Sequence, residues 1–232
     1  MKTIGMIGGM SWESSKHYYE LINKRTKELL GNAHSAKSMM VSVDFHDIEE
    51  FTFDGNWDQI GEMMAQSAEQ LEQGGADFII LCTNTIHLVS DAITKNSTLP
   101  FLHIAHATGM EIRKHRLKKI GLLGTKFTME KDFYTKILEA SYGLEVITPK
   151  QEDRNTLNEI IYKELVNGQF TAPSKEKCLR MIQDLQNEGA EGVILGCTEI
   201  PLLVQKEDIP IPSFDTTKIH AYAAVNRALE EG

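Results

Sequence analysis

The chain has 232 residues, 41% hydrophobic and 25% charged, a balance ordinary for a packed globular protein and unlike disordered or fibrous chains. Its 33 acids against 24 bases leave a formal charge of -9, without the basic footprint that nucleic acid or anionic lipid requires, so the expected partner is a small molecule. No segment reaches the length of a membrane span, and the opening MKTIGMIGGM lacks the apolar core of a signal peptide. The three scattered cysteines, Cys82, Cys178 and Cys197, form no disulfide or zinc pattern, and the expected location is the reducing cytoplasm.

Short apolar runs alternate with longer periodic stretches, which predicts βαβ units and a parallel sheet. In chain order the reading gives a strand at 3–7, a helix at 13–30, a strand at 39–43, a helix at 57–73 and strands at 78–81 and 99–104. A strand at 119–123, a helix at 130–141, a strand at 144–147 and helices at 156–167 and 174–187 follow. Strands at 193–195 and 209–214 and a helix at 216–230 complete it. The acid-rich segments 47–50 and 230–231 read as solvated faces.

The most informative feature is an internal repeat. ADFIILCTNTI, residues 76–86, aligns without a gap on AEGVILGCTEI, residues 190–200, at an offset of 190 minus 76, which is 114. Each copy follows a helix ending in Gly-Ala. IGMIGGM, from Ile4, echoes IGLLGTK, from Ile120, at 120 minus 4, which is 116. Two echoes at nearly equal offsets predict duplicated halves: a two-lobed α/β protein with pseudo-symmetric Rossmann-like lobes, each a parallel sheet flanked by helices, and an active-site cleft between them. The expected lobes are 1–115 and 116–215, with the helix 216–232 packing back on the N-terminal lobe.

Ligands of open α/β sheets collect at the carboxyl ends of the strands. The echoing motifs place there Cys82-Thr83-Asn84-Thr85 in one half and Gly196-Cys197-Thr198-Glu199 in the other, and the ungapped alignment pairs Thr83 with Cys197. One proton-carrying side chain from each half suits inversion of a stereocentre, which removes a proton from one face and delivers one to the opposite face. A cysteine thiol, with an ordinary pKa of about 8.5, becomes a base where a helix N-terminus favours the thiolate. A buried, inert cysteine is the competing reading for Cys197.

LCTNTIH, LGCTEI and the opening IGMIGGMSWESS together resemble the aspartate/glutamate racemase superfamily over essentially the whole chain. They are most similar to its broad-specificity or L-aspartate/L-glutamate-specific branch. The resemblance implies a homodimeric, cofactor-independent amino acid racemase in which two opposed cysteines, one in a Cys-Asn-Thr turn and one in a Gly-Cys-Thr turn, act as bases. This sequence departs from that pattern at the first turn, where Thr83 precedes Asn84-Thr85 and the cysteine is displaced to Cys82. A one-residue shift at a strand end turns a side chain to the other face, so Thr83 and Cys197 are the expected catalytic pair and Cys82 a buried neighbour. If the family geometry holds, the Cys197 thiolate takes the α-proton of the L-enantiomer and Thr83 returns one on the other face.

A carbanion formed without a pyridoxal sink needs fixed donors around the substrate carboxylate. Asn84, Thr85, Thr125 and Thr198 are the expected donors, with Thr125 alternatively a helix cap; Met10 contributes its main chain, and Glu199 orients the substrate ammonium or a neighbouring donor. Arg154 and Lys163 are candidates for a distal carboxylate. Gly8-Gly9 leave the backbone accessible, but both strict nucleotide-loop patterns are absent. His87, His103, His106 and His220 match no strong metal motif and read as structural or supporting residues; no metal is expected. Other reactions of the superfamily (hydantoin racemisation, maleate isomerisation, arylmalonate decarboxylation) and a non-catalytic two-lobed anion-binding protein are the alternatives.

Overall fold

A computed structural model describes residues 1–230. The chain forms two units, Met1–Ile104 together with the segment from His220 onward, and Ala105–Ile219.

The first unit contains β1 (Ile4–Gly8), α1 (Trp12–Leu30), β2 (Ser38–Ser42), α2 (Phe45–Asp54), α3 (Trp57–Gln73), β3 (Phe78–Leu81) and α4 (Ser90–Asn96). Helix α5 (Ile104–Lys114) leads into the second unit, which continues with β4 (Lys119–Gly124), α6 (Lys126–Glu130), α7 (Asp132–Tyr142), β5 (Glu145–Ile147), α8 (Gln151–Lys163), α9 (Ala172–Asn187), β6 (Gly192–Gly196), α10 (Ile200–Leu203) and β7 (Ser213–Asp215). Helix α11 (Thr216–Leu229) returns the chain to the first.

All strand pairs are parallel, in the order β2-β1-β3 in one sheet and β5-β4-β6-β7 in the other. Ile4 pairs with Phe78 and Ile7 with Leu81; Ile120 pairs with Gly192 and Leu123 with Leu195. Adding 116 on the first strand and 114 on the second converts one register into the other, so the sequence echo is an echo of the ladders themselves. It extends to the helix that precedes each motif: Ala76 N donates to Leu71 O at 3.0 Å and Ala190 N to Leu185 O at 2.9 Å, across Gly75 at φ 89° and Gly189 at φ 97°. These are the hydrogen bonds of a glycine-terminated helix end, where the missing Cβ allows the left-handed turn into the strand.

Strand β3 is buried on both faces, as parallel strands between helices are. Phe78, Ile80 and Cys82 pack with Ile4, Tyr18 and Ile22 and with Ala221, Ala224 and Val225 of α11; Ile79 and Leu81 pack with Ile60, Met64 and Leu71 of α3. In the second unit Ile120, Leu122, Val193 and Ile194 are buried along with Tyr134 and Leu138 of α7, Leu157 and Ile161 of α8 and Met181 and Leu185 of α9.

Several expectations need correction. The strand expected at 99–104 is reduced to a single bridge between Phe101 and Ile79, because Pro100 has no N–H to extend the ladder and α5 starts at Ile104. Helix α8 begins at Gln151, five residues before the expected 156, with Glu152 and Asp153 in its first turn. Helix α2 was signalled but not predicted: Asp44 caps it through His46 N, and Gly55 ends it in a left-handed conformation. Of the acid pair at 230–231, Glu231 lies outside the described residues, as does the end of the helix expected to reach 232. Among the described residues no helix is long and apolar enough to cross a membrane.

Candidate functional site

The first motif begins where β1 ends. Gly9 stands at φ 95°, and its N–H donates to Ser15 Oγ at 2.8 Å; a Cβ there would run into the backbone of Val43. The opening glycines therefore serve a tight turn beside the neighbouring chain. Met10 is buried, and its side chain belongs to the apolar cluster of Ile7, Ile48 and Ile60. Ser11 then caps α1, accepting from Ser14 N at 3.3 Å.

Beyond β3 the chain turns through Cys82, Thr83, Asn84 and Thr85, all buried. Cys82 continues the alternation of Phe78 and Ile80 into the apolar cluster under α1 and α11. Burial pushes its thiol far above the ordinary range. Thr83 is next, at 9% exposure. The main chain around it is held from both sides: Ser14 Oγ donates to Cys82 O at 2.9 Å, and His87 Nδ1 lies 2.8 Å from Thr83 O. A carbonyl oxygen only accepts, so Nδ1 carries the proton; Nε2 then accepts from Ile104 N at 3.2 Å.

Beyond β6 the second motif places Cys197 and Glu199 at 8% exposure each, with Thr198 half-buried. Cys197 Sγ donates to Glu199 Oε2 at 3.0 Å, and Thr198 Oγ1 donates to the same oxygen at 2.5 Å. The expectation of a thiol acidified by a helix N-terminus is overturned. Burial, and then the Glu199 carboxylate beside it, push the Cys197 thiol well above its ordinary value, against the opposing effect of backbone hydrogen bonds from Glu199 and Thr198. The following helix, α10, spans only Ile200–Leu203 and is too short to reverse this.

The remaining expected residues fall in the second unit. Thr125 caps α6, accepting from Thr128 N at 3.3 Å, and its hydroxyl is 3.1 Å from that of Thr128. Arg154 is engaged by Glu130 at 3.0 Å and by the Pro149 carbonyl at 2.8 Å. Lys163 is exposed and pairs with Glu159 at 3.1 Å. Among the described residues there is no group of three or more His, Cys, Asp and Glu side chains arranged to hold a metal ion.

Ser14 was not singled out from sequence and carried no signal beyond its place early in α1, whereas His87, in the TIH that follows Asn84, was read as a structural or supporting residue without a named partner.

A profile of the Asp/Glu/hydantoin racemases matches residues 7–224. The chain belongs to that family. Similar solved structures include a candidate Asp/Glu racemase from Yersinia pestis, 47% identical with a TM-score of 0.93 over 99% of this chain and 100% of that one. An aspartate racemase homologue from Pyrococcus horikoshii is 37% identical with a TM-score of 0.86, again over 99% and 100%. The broad specificity amino-acid racemase RacX of Bacillus subtilis is 26% identical, over 97% of this chain and 98% of its own. The Asp/Glu/hydantoin racemase described above is thus an isomerase of the cofactor-independent amino acid racemase type. Its relatives favour amino acid racemisation over the other superfamily reactions and over a non-catalytic binding protein.

Proposed function

We propose that this racemase interconverts the enantiomers of aspartate or glutamate, with Cys197 and Thr83 as the proton-carrying groups on opposite faces of the α-carbon. The observation that carries the reading is the matched register of the two ladders, which gives Thr83 and Cys197 equivalent positions after β3 and β6 in two copies of one topology.

The chemistry follows from the neighbours of each group. The Cys197 proton already points at Glu199 Oε2. Its transfer leaves a thiolate and a carboxylic acid, with one negative charge before and after, so the base forms without adding charge to a buried site. The thiolate takes the α-proton of the L-enantiomer, becoming a thiol as the C–H electron pair passes to the substrate carbanion. The Thr83 hydroxyl gives its proton to the opposite face and recovers one from solvent, while Glu199 releases the proton it took to solvent, which restores the thiol and carboxylate. An alkoxide at Thr83 is harder to form than a thiolate, so removal of a proton by Thr83 from the D-enantiomer is the slower direction. Asn84, Thr85, Thr125, Thr198 and the Met10 main chain supply donors to the substrate, and Glu199 orients the neighbouring Thr198 hydroxyl.

The buried free thiols of Cys82, Cys178 and Cys197 suit a reducing cytoplasm. Exposed Trp12, Tyr19 and Phe53 provide apolar surface for a homodimer, which light scattering checks against twice the chain mass.

The test is proton NMR of L-aspartate and L-glutamate in D₂O without added cofactor. Wild-type protein removes the α-proton signal of at least one substrate. Cys197→Ala slows that loss by about 10³-fold, within the range for removal of a general base. Thr83→Ala stops formation of the D-enantiomer while still allowing some deuterium to enter the L-form. Absence of exchange on both substrates refutes the acidic amino acid reading, and a fully active Cys197→Ala refutes the catalytic pair.

A further inference from the structure

Thr83 lies between two peptide planes whose carbonyls are each held by a side chain from elsewhere in the same unit. The plane before it is fixed by Ser14 Oγ on Cys82 O at 2.9 Å, and the plane after it by His87 Nδ1 on Thr83 O at 2.8 Å. The imidazole is itself held. Its Nε2 accepts the Ile104 N–H, a donor in the first turn of α5. Its ring packs against His103, Phe101 and His220 at centroid separations of 4.5, 5.6 and 5.9 Å.

The direction of a Cα–Cβ bond is set by the two peptide planes that meet at that residue. A threonine has few rotamers once its backbone is fixed. We infer that Ser14 and His87 are positioning residues for Thr83, fixing both flanking peptide planes so that its hydroxyl keeps one direction while it returns a proton to the substrate. This rests on Thr83 having the role proposed above.

The chemistry of the two holders suits that task. Ser14 offers a neutral hydroxyl. Burial and the neighbouring histidines drive the His87 pKa well below its ordinary value, so the ring stays in the one tautomer that donates to Thr83 and accepts from Ile104. Protonation would turn Nε2 into a second donor facing the Ile104 N–H.

Positioning and general structural support separate in one assay. In D₂O, proton removal by Cys197 alone exchanges the α-hydrogen with retention, whereas inversion also requires delivery from Thr83. The ratio of inversion to exchange therefore reports the second face specifically. It is read by combining NMR with chiral analysis of the same L-aspartate and L-glutamate samples.

Thr83→Ala should lower this ratio by about tenfold or more. His87→Gln keeps an acceptor near Nε2 but loses the Nδ1 donor, and Ser14→Ala removes the other holder; each should lower the ratio at least about threefold while exchange itself persists. His87→Asn, whose amide nitrogen takes the place of Nδ1, should restore the ratio to within about twofold of wild type.

If exchange and inversion fall together in both His87→Gln and Ser14→Ala, the residues support the fold only and the inference is wrong. A low ratio in Thr83→Ala with wild-type ratios in His87→Gln and Ser14→Ala removes the inference but leaves the role of Thr83 standing. An unchanged ratio in Thr83→Ala removes both. Ser14→Ala, the smallest change, keeps the test available if His87→Gln fails to fold.

Discussion

The turns after β3 and β6 are copies of one scaffold carrying opposite kinds of control. Around Thr83 the holders are neutral, Ser14 and His87, and they act on the main chain. Around Cys197 the holder is the Glu199 carboxylate, and it acts on the reactive atom itself. On the proposed roles, Thr83 only has to deliver a proton and needs direction, whereas Cys197 has to become a base and needs somewhere to put its proton. The ladders and helix ends match between the two turns, and the difference lies in a few side chains.

The sameness of the scaffold is the part with the largest expected energetic effect. Leu71 and Leu185 are equivalent, since 71 plus 114 is 185, and both are fully or almost fully buried. Each lies over a glycine of the neighbouring strand: a Cβ on Gly5 would stand 3.3 Å from Leu71 Cδ1, and one on Gly121 2.9 Å from Leu185 Cδ1. Leu71→Ala and Leu185→Ala should each lower the unfolding free energy by about 3 kcal/mol in urea titrations. Costs that differ by more than about 2 kcal/mol would break the equivalence of the two helix–strand contacts.

The difference between the copies should appear next, as a response to acid. His220 is held neutral between Tyr18 and the Leu102 carbonyl, and burial lowers its pKa from 6.5 to about 4. A depressed folded pKa means stability that is complete above about 6.5 and is lost as pH falls towards 4. His87, also lowered, adds in the same direction. At pH 5 the contribution of His220 alone is a loss of about 2 kcal/mol relative to pH 7.5, and His220→Gln should flatten that part of the dependence. Equal urea midpoints at pH 7.5 and pH 5 would contradict the neutral imidazoles of the first unit.

The smallest effect sharpens the contrast at Cys197. Replacing Glu199 by Gln removes the negative charge that helps raise the thiol, so the pH profile for alkylation of Cys197 should move to lower pH, read by mass spectrometry of the labelled peptide. A shift to higher pH would mean that Glu199 promotes the resting thiolate, contrary to the geometry described.

The contrast also marks what sequence could show. The repeat at 114 and 116 was legible because β-ladders and glycine-terminated helix ends impose residue types at fixed spacing, as at Gly5 and Gly121 or Gly75 and Gly189. Burial of Cys82 followed from strand alternation. The Ser14 contact joins residues 68 apart, and the His87 contact with Ile104 joins residues 17 apart. Neither leaves a periodic trace, because a single hydrogen bond between distant residues constrains no neighbour in sequence. Glu199 was visible as a residue, but its effect on Cys197 depends on an oxygen 3.0 Å from sulfur, which composition and spacing do not encode.

The Cys197–Glu199 contact has a consequence for survival of the protein under oxidants. Peroxides attack thiolates, and the first product, a sulfenic acid, would destroy the base. A resting site that keeps its negative charge on carboxylate oxygen and its sulfur protonated offers no such target between turnovers. On the proposed role of Cys197 as the base, the same contact that delays formation of the thiolate also protects the resting sulfur.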